Sequence, residues 1–560
     1  DVVIDRTYRT SMVHQSYLET HAVVVDPGPM GNSLTIYTST QGQYSVRDEV
    51  AKLMELPQHA VTIRPLAVAG GFGAKYGIYE PLAAAVALTV QRPVRLVLSR
   101  SEDLLSTTPA PQTLIKIKTG AKKDGSVTAI QATIYVDNGV FGFSHGGIMS
   151  YLMGGYYKWP NLKLDGYEIA THKSPVGAYR APGAPQATFA LEGNIDDMAA
   201  ELGIDPLEFR LQNVAEAGDL NGTGQPWPKD IGAKLVLETL KAHPAWQNRQ
   251  PDEAVGIALG GWPTAVGNAE AICRVDTDGT VRINTGIVDI SGSKSSMILV
   301  AAEALGVSPE DIVMVQDGTD GAYGPNSGGS MITYSVSGAI HEAATNVRQQ
   351  LFKVAADHFE AAEEDIDIVD GQAQVKGVPD SKVGIGELAQ KARSQRGGAR
   401  GSIVAEATSS VPENAPAFAA HLIKIKIDPV SGEIIPLDYV TIQDVGFALN
   451  PMLVEGQLQG GAIQGLGMAL HEAMVYSEDG QLLSGSWVDY SMPRFDNVPK
   501  MEVVLLNNPS PHGPFGARGI AESPLTPGPA AVANAIKVAT GARLTELPMR
   551  PEKVWQALKG

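Results

Sequence analysis

The chain has 560 residues and a net charge of −18, which is too acidic for a nucleic-acid groove or an anionic membrane surface. Its single cysteine, Cys273, excludes a disulfide within the chain and a cysteine-held iron–sulfur cluster. Globular composition (44% hydrophobic, 19% charged) predicts roughly two to four domains at about 150 residues each, and the longest apolar run, 81–90, is too short to span a bilayer.

Residues 33–39 and 61–68 are rich in β-branched side chains and read as strands. Between them, Val46, Val50 and Leu53 recur at helical spacing over 45–54. A buried helix is predicted over 80–90, a strand over 94–99, and a hairpin of 114–118 with 127–136 around Lys123-Asp124-Gly125. The clearest helix covers 187–202: Leu191, Ile195, Met198, Ala199 and Leu202 share a face, and Gly203 ends it. Asp205-Pro206 then caps a second helix carrying Leu207, Arg210, Leu211 and Val214. The polar, Gly- and Pro-rich stretch 217–230 reads as a boundary, dividing the chain into domains 1–230 and 231–560. Beyond it, Cys273 sits buried in a strand pattern. Strands over 281–290, 423–427, 436–442 and 501–506 alternate with helices over 296–305, 337–356 and 453–470. The fold class is α+β, with no repeat of short period.

Glycine loops carry the chemistry. Gly70-Gly71-Phe72-Gly73-Ala74-Lys75 lies between a strand and a helix, yet Ala74 and Tyr76 flank Lys75 where a P-loop needs Gly and Ser or Thr. Tyr76 also breaks a dinucleotide fingerprint that starts at Gly71. Two readings remain: a loop that offers backbone N–H groups to an anion or cofactor, or a plain tight turn. Ser327-Gly328-Gly329-Ser330, before a long helix, suits a phosphate or a pterin in the same way. Gly460-Gly461-Ala462-Ile463-Gln464-Gly465 lies inside a helical pattern, either for helix packing or to let a bulky cofactor lie against Gln464. Gln41 follows the first strand, and Arg180 sits in the stiff loop Tyr179-Arg180-Ala181-Pro182-Gly183. Near the C-terminus, Gly516-Ala517-Arg518-Gly519-Ile520-Ala521-Glu522 places one carboxylate before Ser523-Pro524, which reads as a helix start with Ser as N-cap. Glu522 is then either a general base or a complement to the helix dipole. The 11 histidines show no metal-ligand spacing, and His14 and His21 read as structural. No Gly-x-Ser-x-Gly elbow is present.

These motifs, in this order, resemble the molybdenum-binding large subunit of the xanthine dehydrogenase / aldehyde oxidase family of molybdenum hydroxylases. The resemblance covers nearly the whole chain. It rests on Tyr17-Leu18-Glu19-Thr20-His21, Ser39-Thr40-Gln41, Gly70 to Lys75, Ala178-Tyr179-Arg180 with Gly183-Ala184-Pro185-Gln186, Leu202-Gly203-Ile204-Asp205-Pro206, Arg210-Leu211-Gln212-Asn213, Asp444-Val445-Gly446, Leu449-Asn450-Pro451, Gly456-Gln457, Gln464-Gly465-Leu466-Gly467 and Gly519-Ile520-Ala521-Glu522. It implies two elongated mixed α/β molybdopterin-binding domains. Gln41 would hydrogen-bond the apical molybdenum oxygen. Gly71, Phe72, Gly73, Arg180, Gly329, Ser330 and Gln464 would hold the cofactor, and Glu522 would be the base. The metal would be held by the pterin dithiolene, with Gln41, Phe72 and Arg180 nearby and no protein ligand. The implied cofactor is a molybdopterin, expected as a dinucleotide, with 2Fe-2S clusters and FAD on partner subunits.

Departures narrow the reading. Ser291-Gly292-Ser293 stands where the family has Gly-Gln-Gly, and Tyr76 where purine-oxidising members carry Glu. Ile148 is nearest to the Arg those members carry before Tyr157-Lys158-Trp159-Pro160, and Ala181 replaces the Cys of copper–molybdenum carbon monoxide dehydrogenases. Neither xanthine nor carbon monoxide is therefore expected as substrate. The expected function is oxidative hydroxylation of an aldehyde or N-heteroaromatic carbon with oxygen from water. The alternative is a catalytically silent cofactor-binding or assembly subunit. Expected partners are an iron–sulfur small subunit, a flavin medium subunit and a separate chain for the family's N-terminal domain, in a dimer of heteromers. No signal peptide is visible, and a cytoplasmic location is expected.

Overall fold

The computed structural model describes residues 1–140, 142–250, 253–378, 380–394 and 401–559. Four of its sheets share one plan. Two antiparallel strands lead through a helix to a third strand parallel to the second, and a fourth strand flanks the first. In the first unit these are Ala22–Asp26, Leu34–Thr38, α1 (Gln43–Leu53) and Val61–Pro65, flanked by Val94–Val97. The second comprises Gln112–Ala121, Val127–Gly139, α2 (His145–Gly155) and Asn161–Ala170, flanked by Val2–Thr10. α3 (Ala184–Leu202) follows it. The third comprises Ala269–Val275, Val281–Thr285, α4 (Ser293–Leu305) and Ile312–Val315, flanked by Val404–Ser409. α5 (Met331–Phe359) packs across it. The fourth comprises Ala417–Ile427, Ile434–Gly446, α6 (Pro451–Leu470) and Lys500–Asn507, flanked by Ala254–Trp262. α7 (Gly528–Thr540) lies on that last strand. A small three-stranded sheet follows α5.

Local sequence explains most of these elements. Buried side chains alternate along Gln112–Ala121, as one half-buried sheet face requires. The turn to the next strand passes through Gly125 with φ +88°. α3 is buried on almost every side, Gly203 closes it at φ +67°, and the Asp205 carboxylate accepts the N–H groups of Leu207 and Glu208. The largest core draws on both sides of residue 231. It joins Ile134, Phe189 and Ile195 to Ile257, Leu422, Ile442 and Val532. Among the described residues no helix is long and apolar enough to cross a membrane.

Several predicted boundaries move, three of them beside the glycine loops. The strand predicted over 281–290 stops at Thr285, and at the next residue, Gly286, a Cβ would clash with Ala322 O and Gly324 N. α5 begins at Met331 rather than near 337, directly after Ser330. Ser523–Leu525 forms only a single 3-10 turn, and α7 starts at Gly528. Glu522 therefore does not cap the long helix.

Gly256 marks a tight helix–sheet approach. A Cβ there would run into the backbone of Ala531 and Ala535 on α7. Gly256→Ala is expected to cost at least about 1–3 kcal/mol of stability through overpacking. A lowered urea midpoint with unchanged slope would show this, and an unchanged midpoint would mean that α7 moves away freely.

Candidate functional site

Five loops meet at Glu522. The first follows Leu34–Thr38 and carries Gln41, which is 1% exposed. Its Oε1 accepts the N–H groups of Gly73 (3.0 Å) and Lys75 (3.3 Å), and its Nε2 donates to Ser327 O at 2.7 Å. One side chain thus joins the glycine loop at 70–75 to the loop at 327–330. Gly71 leaves room for that amide, since a Cβ would lie 2.5 Å from Gln41 Oε1. Gly73, at φ +109°, is held so close to the Arg180 loop that a Cβ would meet Ala178 O at 2.5 Å.

Arg180 is the hub. Its backbone N–H donates to Phe72 O at 2.8 Å. Its guanidinium donates through Nε to Ala521 O (2.6 Å), through one terminal nitrogen to Gln464 Oε1 (2.8 Å) and through the other to Gln457 O (2.8 Å). Burial pulls its pKa down to about 10, against the Tyr179 and Glu522 charges that raise it. Gln457 and Gln464 are seven apart on α6 and so share a face.

Glu522 itself is nearly buried. Ala181 N–H donates to one carboxylate oxygen at 3.1 Å and the Ser330 hydroxyl to the other at 2.7 Å. Glu522 N–H returns a bond to Ser330 Oγ at 3.1 Å. Burial raises the Glu522 pKa above the usual carboxylate range; the Ser330 bond, the Ala181 bond and the Arg180 charge only partly reverse it. Tyr76 faces the same space: its hydroxyl donates to Ser327 O at 3.1 Å, and burial and the Glu522 charge push its phenol up.

The backbone here is strained. Ten described non-glycine residues have positive φ, and Phe72 (52°), Ala181 (59°), Thr264 (52°) and Ser330 (61°) are among them around Glu522. Each such residue costs about 1–3 kcal/mol unless its surroundings hold it. Thr264 Oγ1 donates to Gly519 O at 3.0 Å, and the Gly329 carbonyl accepts Ala265 N–H at 2.7 Å.

All the predicted site residues (Gln41, Gly71, Phe72, Gly73, Arg180, Gly329, Ser330, Gln464 and Glu522) meet in this one network. Among the described residues no group of three or more His, Cys, Asp or Glu side chains is arranged to hold a metal. His14 turns inward to Thr107, His21 lies between Asp103 and the Ala74 carbonyl of the glycine loop, and Cys273 is buried in its strand. Sequence reasoning missed Ala181 as a donor, Gln457 as a support and Thr264. The seven-residue spacing of Gln457 and Gln464 was a readable signal; nothing in the chain near Thr264 marks its position.

Molybdopterin cofactor-binding domain families match residues 1–214 and 232–499. The chain belongs to this molybdopterin cofactor-binding family. It is similar to the nicotine 6-hydroxylase large subunit of Paenarthrobacter nicotinovorans, 29% identical over all of this chain and 73% of that protein. It is also similar to the aldehyde oxidoreductase of Megalodesulfovibrio gigas, 30% identical over 88% of this chain and 54% of that one. Among solved structures, quinoline 2-oxidoreductase from Pseudomonas putida 86 superposes with a TM-score of 0.91 at 28% identity, covering all of this chain and 76% of that one. The two-domain α/β architecture of molybdenum hydroxylase large subunits is thus the fold of this chain.

The network suits a molybdopterin. Among the described residues, the N–H groups of Phe72, Gly329 and Ser330 find no acceptor within the chain. The buried Oε1 atoms of Gln43 and Gln443 are without donors; Gln43 donates to Gly286 O and Gln443 to Ile520 O. Unspent donors and acceptors on both sides of Glu522 fit a ligand rich in ring nitrogens and oxygens.

The Ser330 hydroxyl stabilises the ionised form of Glu522, so its removal raises the pKa further. Ser330→Ala is expected to move the acid limb of kcat/KM to higher pH. A limb at unchanged pH would mean that Ser330 does not face the titrating carboxylate.

Proposed function

We propose that this chain is the large subunit of a molybdenum hydroxylase that oxidises an aldehyde or, preferentially, a neutral N-heteroaromatic ring at an electron-poor carbon, with oxygen from water. One observation carries the reading: Glu522 is a nearly buried carboxylate, pinned through both oxygens, with a raised pKa. A general base needs that fixed aim and that proton affinity. When bound, the molybdenum cofactor supplies the oxidising centre that takes two electrons from the substrate carbon.

The chain's own groups do the rest. Glu522 takes the proton from the oxygen nucleophile. Arg180 holds Ala521 and so fixes the Glu522 backbone, and Gln41 keeps the 70–75 and 327–330 loops together around the reacting atoms. Phe72, Gly73, Gly329, Ser330 and Gln464 bind the cofactor. Tyr76 presents a phenol and a ring face rather than a carboxylate, which supports a neutral aromatic substrate over a purine. Ala181 offers no thiol, and the one cysteine is buried elsewhere, which argues against carbon monoxide chemistry of the copper–molybdenum kind. The names of two similar proteins, nicotine 6-hydroxylase and quinoline 2-oxidoreductase, support the heteroaromatic choice.

Electrons leave through 2Fe-2S clusters and FAD on partner subunits, because one buried cysteine cannot hold a cluster here. The cofactor is a dinucleotide, the complex a dimer of heteromers in the cytoplasm, and the domain boundary falls at about residue 230.

Glu522→Gln is expected to lower kcat by roughly 10²–10⁴-fold, the range for loss of a general base, with molybdenum and pterin content unchanged. Retained turnover would remove Glu522 as the base. Loss of molybdenum together with turnover would instead make it a cofactor-binding residue. In the natively purified complex, iron is expected on copurifying chains. Active complex without iron on any chain would overturn the electron route.

A further inference from the structure

Glu472 lies just past the end of α6, 4% exposed, and among the described residues no Lys, Arg or His pairs with it. Its Oε2 is 3.1 Å from the Tyr490 hydroxyl oxygen. That hydroxyl already has two partners: it accepts the His14 N–H at 2.8 Å and lies 3.0 Å from the His14 carbonyl oxygen. A phenol has one proton to give. Given to the carboxylate, that proton leaves the His14 carbonyl without a donor. Given to the carbonyl, it leaves Oε2 facing a lone pair. All three contacts of the Tyr490 hydroxyl are satisfied together when Glu472 carries a proton of its own and donates it to Tyr490.

The surroundings agree. Burial pushes the Glu472 pKa up to about 8. Tyr490, Tyr179, Gln186, Thr10 and Ser11 face the group, and none of them brings a positive charge. Glu472 and Gln186 line a cavity of about 10 Å³, the room of about one water, and Gln186 Oε1 is buried there without a donor. An un-ionised acid beside an unpaired amide oxygen is the arrangement one bridging water completes.

We propose that Glu472 is an un-ionised carboxylic acid in the folded protein and acts as a positioning residue, its O–H completing the Tyr490–His14 tie that fixes the end of α6. α6 also carries Gln457 and Gln464, which hold Arg180 beside Glu522. The protonation state stands on the geometry alone; the effect on turnover rests on the proposed function.

The unfolded chain ionises Glu472 in the ordinary carboxylate range. Stability due to the neutral acid is therefore complete below that range and lost as pH rises through about 8. The test uses the purified complex in wild-type, Glu472→Gln and Glu472→Leu forms. At pH 7, the infrared difference between wild type and Glu472→Gln should contain the C=O stretch of an un-ionised acid. The amide of Glu472→Gln still donates to Tyr490, so this variant should keep the melting temperature at pH 7 and lose part of its pH dependence. Glu472→Leu should melt lower and lose roughly 10- to 100-fold in kcat at unchanged molybdenum content, the scale of a small misplacement. A carboxylate band at pH 7, or Glu472→Gln melting as low as Glu472→Leu, would overturn the neutral acid. Wild-type kcat in Glu472→Leu would overturn the positioning role alone. A complex with no hydroxylase activity in any form would count against the proposed function, while the infrared and melting results would still decide the state of Glu472.

Discussion

The Arg180 guanidinium is the constraint on which the site depends. A buried cation costs several kcal/mol unless its donors are met. Here they are met by the Ala521 carbonyl, the Gln464 amide and Gln457, with no carboxylate bonded to them directly. Two distant segments, the Ala521 loop and α6, must therefore come to Arg180 for the charge to be tolerated. Its backbone adds a third, the Phe72 loop. Glu522, one residue past Ala521, inherits its aim from that arrangement. Leaving the guanidinium without a carboxylate partner also leaves Glu522 free to hold and release a proton, because its own bonds come from a neutral N–H and a neutral hydroxyl.

Strain is spent around the same point. Phe72, Ala181, Thr264 and Ser330 keep left-handed backbone that side chains disfavour, and each is locked by a partner across the site. Such backbone turns N–H groups toward a ligand instead of into a helix or ladder. The N–H groups of Phe72, Gly329 and Ser330, unspent within the described chain, are the result. Stability elsewhere compensates, through one large core that both halves of the chain build together.

The four sheets supply the loops. In each unit the segment between the second strand and the helix leaves the carboxyl end of a strand. Three of these segments reach the site: the one with Gln41, the one from Gly286 to Gly292, which Gln43 and Ser327 hold by its carbonyls, and the one at Phe447, whose N–H donates to Gly516 O. In the segment from Gly286 to Gly292, Asp289 accepts the Ser291 and Ser293 N–H groups, so a carboxylate from within the loop closes the turn. A repeated unit thus places unlike loops around one centre.

The order of motifs along the chain was enough to name the family, the fold class and most residues of the network from Gln41 to Glu522, but not the parts played by Ala181, Gln457 and Thr264. Those residues could be read because glycines and lone polar side chains in apolar surroundings mark backbone that must approach a ligand. Helices with strong periodicity, such as α3, were legible for the same local reason. What the sequence did not contain was the fourfold plan of the sheets. Its units differ in length and share a topology rather than a short period. Nor did it contain the contacts that make Glu522 a pinned carboxylate rather than a complement to the helix dipole, the two readings it left open. They come from Ala181 and Ser330, 341 and 192 residues away, whose donors meet the carboxylate only after the two halves close on a common core. The neutral state of Glu472 is likewise a tertiary fact: it follows from counting one phenol proton among three neighbours that only the folded chain brings within reach.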